Sequence, residues 1–357
     1  MEKIIYAIVG GGWRSEFYLK AAKALPERFE VCGMVIRDEV KGKVFENKLG
    51  VKTFRSVEEL LEFTAPSFVV VSVGLDAAPI VTRQLVEKNI PVLTETPPAP
   101  DVEGLIEINK LTGYGTKIQV AEQYNLQPLH AARLSIAKSG KLGNVNQVNI
   151  SVCHGYHAMS LIRRFMGIKY ENAVISAHTF KSHLMKGPDR KGDPTIEETM
   201  ISDQVIAMID FGDKLGIYDF DGEQYFSWIR GLRLTVRGDK GEIIDNKVRY
   251  LKDFQTPIEI DLKRMNAGEN GNLEGYYLKG IIAEGEWIYR NPLISGRLSD
   301  EEIAVASCLL RMDAYVKGGA EFYSLAEASQ DRYLSLMIER AVKNNEIVRT
   351  ITQPWAK

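Results

Sequence analysis

Tyr6-Ala-Ile-Val-Gly-Gly-Gly-Trp-Arg-Ser-Glu-Phe17 decides the fold: an apolar strand-like run enters a glycine triplet and leaves it as the start of a helix. Those are the parts of a dinucleotide cradle. Gly10 and Gly12 let the backbone turn tightly and approach a pyrophosphate. The free N–H groups at the positive end of the following helix favour the phosphate charge. The third glycine of the usual G-x-G-x-x-G fingerprint is Ser15, still small enough for close helix–strand packing. Gly11, Trp13 and Arg14 complete the turn and are expected beside the nucleotide. A plain tight turn is the bland alternative, so the surrounding pattern has to decide.

Around the cradle, residues 1–124 alternate apolar runs with amphipathic stretches, which predicts a Rossmann-type α/β domain with a parallel sheet covered on both faces. Strands are expected at Ile4–Gly10, Phe29–Ile36, Ser67–Val73, Pro91–Thr94 and Lys117–Glu122. Ser56-Val-Glu-Glu59 reads as a capping box opening a short helix, and Ala77–Lys88 has helical spacing. Ligands of such sheets bind beyond the carboxyl ends of the strands, so Ser72, Glu95, Pro97 and Gln123 are expected at the cofactor. After the second strand, Ile36 stands where an acid would hold the ribose of NAD. The neighbouring Arg37 could accept a 2′-phosphate, which tilts the expectation between NAD and NADP slightly towards NADP.

Composition narrows the class. At 357 residues the chain predicts about two domains, and a formal charge of −2 with interspersed signs offers no field for nucleic acid or a membrane surface. No apolar run approaches the roughly 18 residues of a membrane span, and the charged start leads directly into a strand. A cytoplasmic protein with a small-molecule ligand is expected. Cys32, Cys153 and Cys308 are too few and scattered for a disulfide framework.

Several further stretches follow in a telling order: Pro91-Val-Leu-Thr-Glu-Thr-Pro97, Glu122-Gln-Tyr-Asn125 with Pro128, Gly140-Lys-Leu-Gly143, Gly155-Tyr-His157 running to Gly167, and Arg237-Gly-Asp-Lys-Gly-Glu242. With the cradle, they resemble the Gfo/Idh/MocA family of NAD(P)-dependent oxidoreductases, which act mostly on sugars, inositols and related polyols. The resemblance covers almost the whole length. It implies that residues 125–357 form an α+β substrate and oligomerisation domain on a large, mostly antiparallel open sheet, in a homodimer or homotetramer, with the C-terminal helices packing back on the first domain. Tyr124 and Asn125 would face the substrate. Three positions depart from the family. Its lysine near the nicotinamide is Thr96, which has a hydroxyl but no charge to titrate near neutral pH. Its aspartate before the histidine is Cys153, which leaves the histidine without its expected carboxylate. Its substrate-binding acid is Ser160.

Cys153-His-Gly-Tyr-His157 closes an apolar strand expected over Val145–Val152 and precedes a helix. His157 matches the family's histidine and can exchange a proton near neutral pH, so it is the expected acid/base. Tyr156 could donate to a carbonyl or alkoxide, and His154 would share a face with His157 if the first turn were already helical. The bland alternative for both histidines is a satisfied buried backbone group. Cys153 reads as a packed thiol, and no metal is expected because no carboxylate pairs obviously with these ligands.

From about Asn144 to Ile260, period-two runs at Gln204–Phe211, Leu215–Phe220 and Leu232–Val236 predict the antiparallel sheet. Tyr225–Arg230 is an aromatic and arginine cluster suited to a sugar ring, a subunit interface or the core. Phe180–Thr195, rich in Lys, Gly and Pro, reads as a loop over the cleft or a long exposed connection. Capping boxes at Ser299-Asp-Glu-Glu302 and Ser324-Leu-Ala-Glu327 start two closing helices. The expected activity is hydride transfer between NAD(P) and a hydroxyl-bearing carbon of a sugar-like substrate, with Thr96 orienting that hydroxyl. The rivals are a lyase or glycosidase using transient oxidation, and a non-catalytic nicotinamide or sugar sensor.

Overall fold

The structure is a computed structural model describing residues 2–268, 272 and 275–356. Its first half alternates β1 (Ile4–Val9), α1 (Ser15–Ala24), β2 (Phe29–Val35), α2 (Glu39–Leu49), β3 (Thr53–Phe54), α3 (Val57–Phe63), β4 (Phe68–Val71), α4 (Ala78–Glu87), β5 (Val92–Thr94), α5 (Val102–Asn109) and β6 (Ile118–Val120). The strands lie parallel in the order β3-β2-β1-β4-β5-β6. That order reverses between β1 and β4, where the chain leaves the sheet on both sides and a crevice opens. β1 and β4 are almost wholly buried, as expected for strands with helices on both faces.

Local chemistry explains the boundaries. Asp38 caps α2 by accepting from Lys41 N at 3.0 Å, and Gly50 ends it in the left-handed region at φ 68°. Neither this helix nor β3 is expected from periodicity, because α2 shows only Gly42 and Phe45 to the core and β3 has two residues. The Ser56 box is half made: Ser56 Oγ accepts from Glu59 N at 3.1 Å, but Glu59 Oε2 accepts from Arg55 N instead of Ser56 N. At Ser299 and Ser324 both reciprocal bonds form.

Beyond α6 (Pro128–Lys138), the second half holds β7 (Val145–Ser151), α7 (Gly155–Met166), β8 (Val174–Met185), β9 (Thr199–Asp210), β10 (Leu215–Asp221), β11 (Arg233–Gly238), β12 (Gly241–Ile244), β13 (Lys247–Asp253) and β14 (Thr256–Asp261). They build a sheet in the order β14-β13-β12-β11-β7-β10-β9-β8, antiparallel except at β7–β10. A three-stranded sheet of β15 (Lys263–Ala267), β16 (Tyr277–Ala283) and β17 (Glu286–Arg290) follows, then α8 (Asp300–Val316), α9 (Leu325–Asn344) and β18 (Val348–Arg349), which pairs with β8.

Phe180–Thr195 is not loop throughout. Phe180–Met185 belong to β8 and pair with β9 down to Met185–Thr199, so the connection begins at Lys186. The hairpin has grown past the core, and with few apolar positions to bury, its outer half shows no clean alternation. The closing helices tie the halves together. From α8, Ile303, Ala306 and Leu309 pack with Tyr6, Ile8 and Tyr18, while α9 places Leu325 and Tyr333 with the first sheet and Leu334, Ile338 and Ala341 with the second.

Candidate active site

A cleft of about 1500 Å³ opens at the carboxyl ends of β1, β2, β4 and β5 and is walled on the far side by the β7–α7 junction. Its floor is the glycine turn. Gly10 has φ 124°, and a Cβ there would lie 1.9 Å from Ser72 O, so only glycine lets the turn pass the end of β4. An added Cβ at Gly12 would meet nothing within 4 Å, which leaves that backbone open to close approach. The first bonds of α1 run from Ser15 N to Gly12 O (3.1 Å) and from Glu16 N to Trp13 O (3.2 Å). The amides of Gly11, Gly12, Trp13 and Arg14 therefore have no acceptor among the described residues. Four consecutive unpaired amides at a helix start fit a diphosphate.

Beyond the ends of β2 and β3, Arg37, Asp38, Lys41 and Arg55 line the cleft. Arg55 is spent on structure, donating to Ile36 O and, at 2.9 Å, to Thr53 Oγ1, and Asp38 is spent as the cap of α2. Arg37 and Lys41 are exposed cations without an ion pair among the described residues.

Arg14 turns inward. Its Nε lies 3.3 Å from Glu95 Oε1 and its Nη1 2.7 Å from Glu301 Oε1, and with the Gln123 amide oxygen facing it, Nη2 donates at 2.5 Å. Tyr18 Oη donates to the same Glu95 oxygen at 2.5 Å. These contacts tie the cradle to the end of β5 and to the first turn of α8. Glu301 escapes sequence reasoning because it reads only as an acid in a helix's first turn.

The far wall carries a cluster of titratable side chains. Gly155, at φ 40° and with a Cβ position 2.8 Å from Ser335 Oγ, lets α7 start hard against α9. His154 is the N-cap of α7 in extended backbone, so it does not share a helical face with His157. The rings meet anyway, 5.0 Å apart, because the chain doubles back at Gly155. His154 Nδ1 lies 2.8 Å from Tyr225 Oη, and its Nε2 lies 3.4 Å from Tyr156 Oη, which in turn lies 3.5 Å from Thr96 O. Burial, then His157 and Arg14, push His154 down to about 3, while burial lifts Tyr156 well above the ordinary phenol.

His157 is not without a carboxylate. Its Nδ1 lies 2.7 Å from Glu122 Oε2, and Tyr124 N donates to Glu122 Oε1 at 3.0 Å. Cys153 leaves the aspartate position empty, but Glu122 reaches the same imidazole from just beyond β6. A sequence signal was present: an acid just beyond the carboxyl end of a strand of a parallel sheet lies on the side where ligands bind. Burial pushes Glu122 up to about 8 and His157 down, so the pair keeps a proton between Oε2 and Nδ1 near neutral pH. Nε2 has no protein partner among the described residues. Cys153 is fully buried with its thiol pushed up by burial, which makes it a packed thiol.

One cleft thus gathers Gly10, Gly11, Gly12, Trp13, Arg14, Arg37, Ser72, Glu95, Thr96, Gln123, Tyr124, His154, Tyr156 and His157, and adds Tyr225 and Phe226. Pro97, Asn125 and Ser160 are not in its lining. Asn125 Nδ2 donates to Ser160 Oγ at 3.0 Å in the interior, because α7 turns residue 160 away from the cleft towards the 124–126 turn. Trp228 and Ile229, both 70% exposed, stay outside. Among the described residues, no group of three His, Cys, Asp or Glu side chains could hold a metal.

Residues 4–120 match the family profile for the Gfo/Idh/MocA oxidoreductases, described as an oxidoreductase family with an NAD-binding Rossmann fold. No curated protein matches the chain. Among solved structures, it is similar to an NAD-binding oxidoreductase from Klebsiella pneumoniae (TM-score 0.71, 14% identity, covering 99% of this chain and 100% of that one). It is also similar to an oxidoreductase from Agrobacterium radiobacter in complex with NAD+, L-tartaric acid and magnesium (TM-score 0.67, 14% identity, 97% and 98% covered). A myo-inositol dehydrogenase from Corynebacterium glutamicum shares the fold too (TM-score 0.66, 15% identity, 98% and 99% covered). Residues 4–120 are thus similar to the NAD-binding domain of the Gfo/Idh/MocA oxidoreductase family, and the chain as a whole shares the two-domain fold of these solved structures.

Proposed function

We propose that this protein is an NAD(P)-dependent oxidoreductase acting on a hydroxyl-bearing carbon of a sugar, inositol or related polyol. The observation that carries the reading is the His157–Glu122 pair, 2.7 Å apart and opening through Nε2 onto the cleft that holds the unpaired amides of the cradle. A nicotinamide bound there would supply the site for reversible hydride transfer.

The side chains manage the proton. With a proton held between Glu122 and Nδ1, Nε2 carries a hydrogen and can donate to a carbonyl oxygen, which is the reductive direction. When the pair loses one proton, Glu122 accepts from Nδ1–H and Nε2 is a free base for a substrate hydroxyl. Tyr156 Oη, kept protonated by burial, and the Thr96 hydroxyl orient the reacting oxygen. The polyol preference draws support from the inositol dehydrogenase among the similar structures and from the hydroxyl-rich wall of Tyr124, Tyr156 and Tyr225. Arg37 and Lys41, without an ion pair among the described residues and close to where the ribose of a dinucleotide would lie, favour NADP over NAD.

The test is calorimetric titration with NADH and NADPH, followed by a panel of inositols, aldoses and aldonates with the oxidised cofactor. Net nicotinamide reduction that vanishes in His157→Asn while cofactor affinity holds supports the reading. Product without net change in nicotinamide would move the protein to a lyase or glycosidase using transient oxidation, a mechanism the uncharged Thr96 allows. Tight cofactor binding with no chemistry on any panel member would leave a sensor.

A further inference from the structure

The β8–β9 hairpin reaches out of the second sheet and back over the first domain. Its tip is a tight reverse turn: Asp189 N donates to Gly192 O at 3.0 Å, Gly192 N to Asp189 O at 3.1 Å, and Lys191 N to Asp189 Oδ1 at 2.6 Å. Just before the tip, Gly187 runs alongside Ser227, close enough that an added Cβ would be in contact with Ser227 Cα at 3.4 Å. This turn presents Arg190, whose Cζ lies 4.2 Å from the centroid of the Trp13 ring, and Arg190 lines the same cleft as the glycine turn.

Trp13 is half exposed, and its own amide is one of the four left unpaired at the cradle. The cradle's other arginine is neutralised: Arg14 faces the carboxylates of Glu95 and Glu301. Arg190 has no carboxylate within ion-pair distance among the described residues. Stacking uses the face of a guanidinium and leaves its N–H edges free, and those edges match a phosphate in bidentate fashion. The amides supply only partial charges to a doubly charged diphosphate.

We propose that Arg190 is a diphosphate-binding residue contributed by the second domain, docked on Trp13 so that its guanidinium edge closes over the cofactor's phosphates. This rests on the reading of the cleft as a dinucleotide site. It makes the hairpin tip part of the cofactor site, so that the nucleotide is gripped by both halves of the chain.

The experiment is calorimetric titration of the full chain with ADP-ribose, which carries the diphosphate without the nicotinamide, and with adenosine, which lacks both. Arg190→Gln is expected to weaken ADP-ribose binding by about tenfold, the usual effect of losing a charge-assisted hydrogen bond, and to leave adenosine unchanged. Arg190→Lys should recover part of the loss. Raising the salt should weaken ADP-ribose less in Arg190→Gln than in the wild type, a readout that a merely structural role would not move. Wild-type affinity for ADP-ribose in Arg190→Gln, with an unchanged salt dependence, overturns the proposal while the cofactor site stands. Failure of the wild type to bind ADP-ribose or NADH overturns both. An anionic substrate as the true partner of Arg190 would appear as unchanged ADP-ribose binding, and so counts against the proposal.

Discussion

The two ends of helix α7 carry buried acid–base pairs that look alike and do different things. At its first turn His157 meets Glu122 at 2.7 Å, and six residues on Arg163 meets Asp331 at 2.5 Å, all four side chains no more than 4% exposed. Burial raises both carboxylates, Glu122 to about 8 and Asp331 to about 7. The inner pair is complete. Arg163 Nε and Nη2 donate to Lys169 O at 2.9 and 2.5 Å, Nη1 also reaches Glu327 O at 3.2 Å, and Asp331 accepts from Tyr323 Oη. The outer pair leaves Nε2 on the cleft wall without a partner among the described residues. Burial and charge are common to both, so the unfilled hydrogen-bond capacity facing a cavity marks the candidate site.

The comparison can be broken by removing one acid from each pair. Asp331→Ala leaves Arg163 as an uncompensated buried charge and should cost about 3–5 kcal/mol in denaturant unfolding, with turnover per folded molecule unchanged. Loss of turnover on the scale of loss of stability would show that the inner pair also serves the cleft. His157→Asn should do the reverse, lowering turnover roughly 10²–10⁴-fold while the unfolding midpoint moves less than in Asp331→Ala.

Glu122→Gln sharpens the contrast through pH. Its raised pKa means that Glu122 contributes stability that is full below the ordinary carboxylate value of 4.5 and is lost as pH rises through about 8. His157, depressed from 6.5 to about 3, works oppositely: its contribution is full above 6.5 and is lost as pH falls through about 3. The stability of the wild type relative to Glu122→Gln should therefore fall between about pH 4.5 and 8, measured as paired urea midpoints. A constant difference across that window would mean that Glu122 is already ionised in the folded protein. In the same variant the alkaline rise of the oxidative reaction should flatten. The smallest effect belongs to a purely structural cap: Ser324→Ala should cost about 1 kcal/mol and leave cofactor affinity and turnover as they were.

Legibility in the sequence followed the range of each interaction. Strands β1, β2, β4, β5 and β6, helices α3 and α4 and both closing capping boxes are readable because alternation, helical spacing and caps act within a few residues. β3 and α2 escaped because one is two residues long and the other buries a narrow stripe. The outer half of β8 escaped because its side chains leave the core. Asn125 and Ser160 were placed by motif position, and the rotation of α7 turned them on each other.

By itself the sequence determined a parallel first sheet with a glycine cradle, since Gly10 and Gly12 are dictated by backbone sterics and a strand's burial by its own composition. It also marked the His157 stretch as a concentration of titratable groups. Only the tertiary structure decided who serves those residues. Glu122 meets His157 across 35 positions, Glu301 meets Arg14 across 287, and Arg190 comes to Trp13 from the hairpin of the second sheet. Such pairings depend on where whole elements pack, and no periodicity within either partner's own segment encodes them.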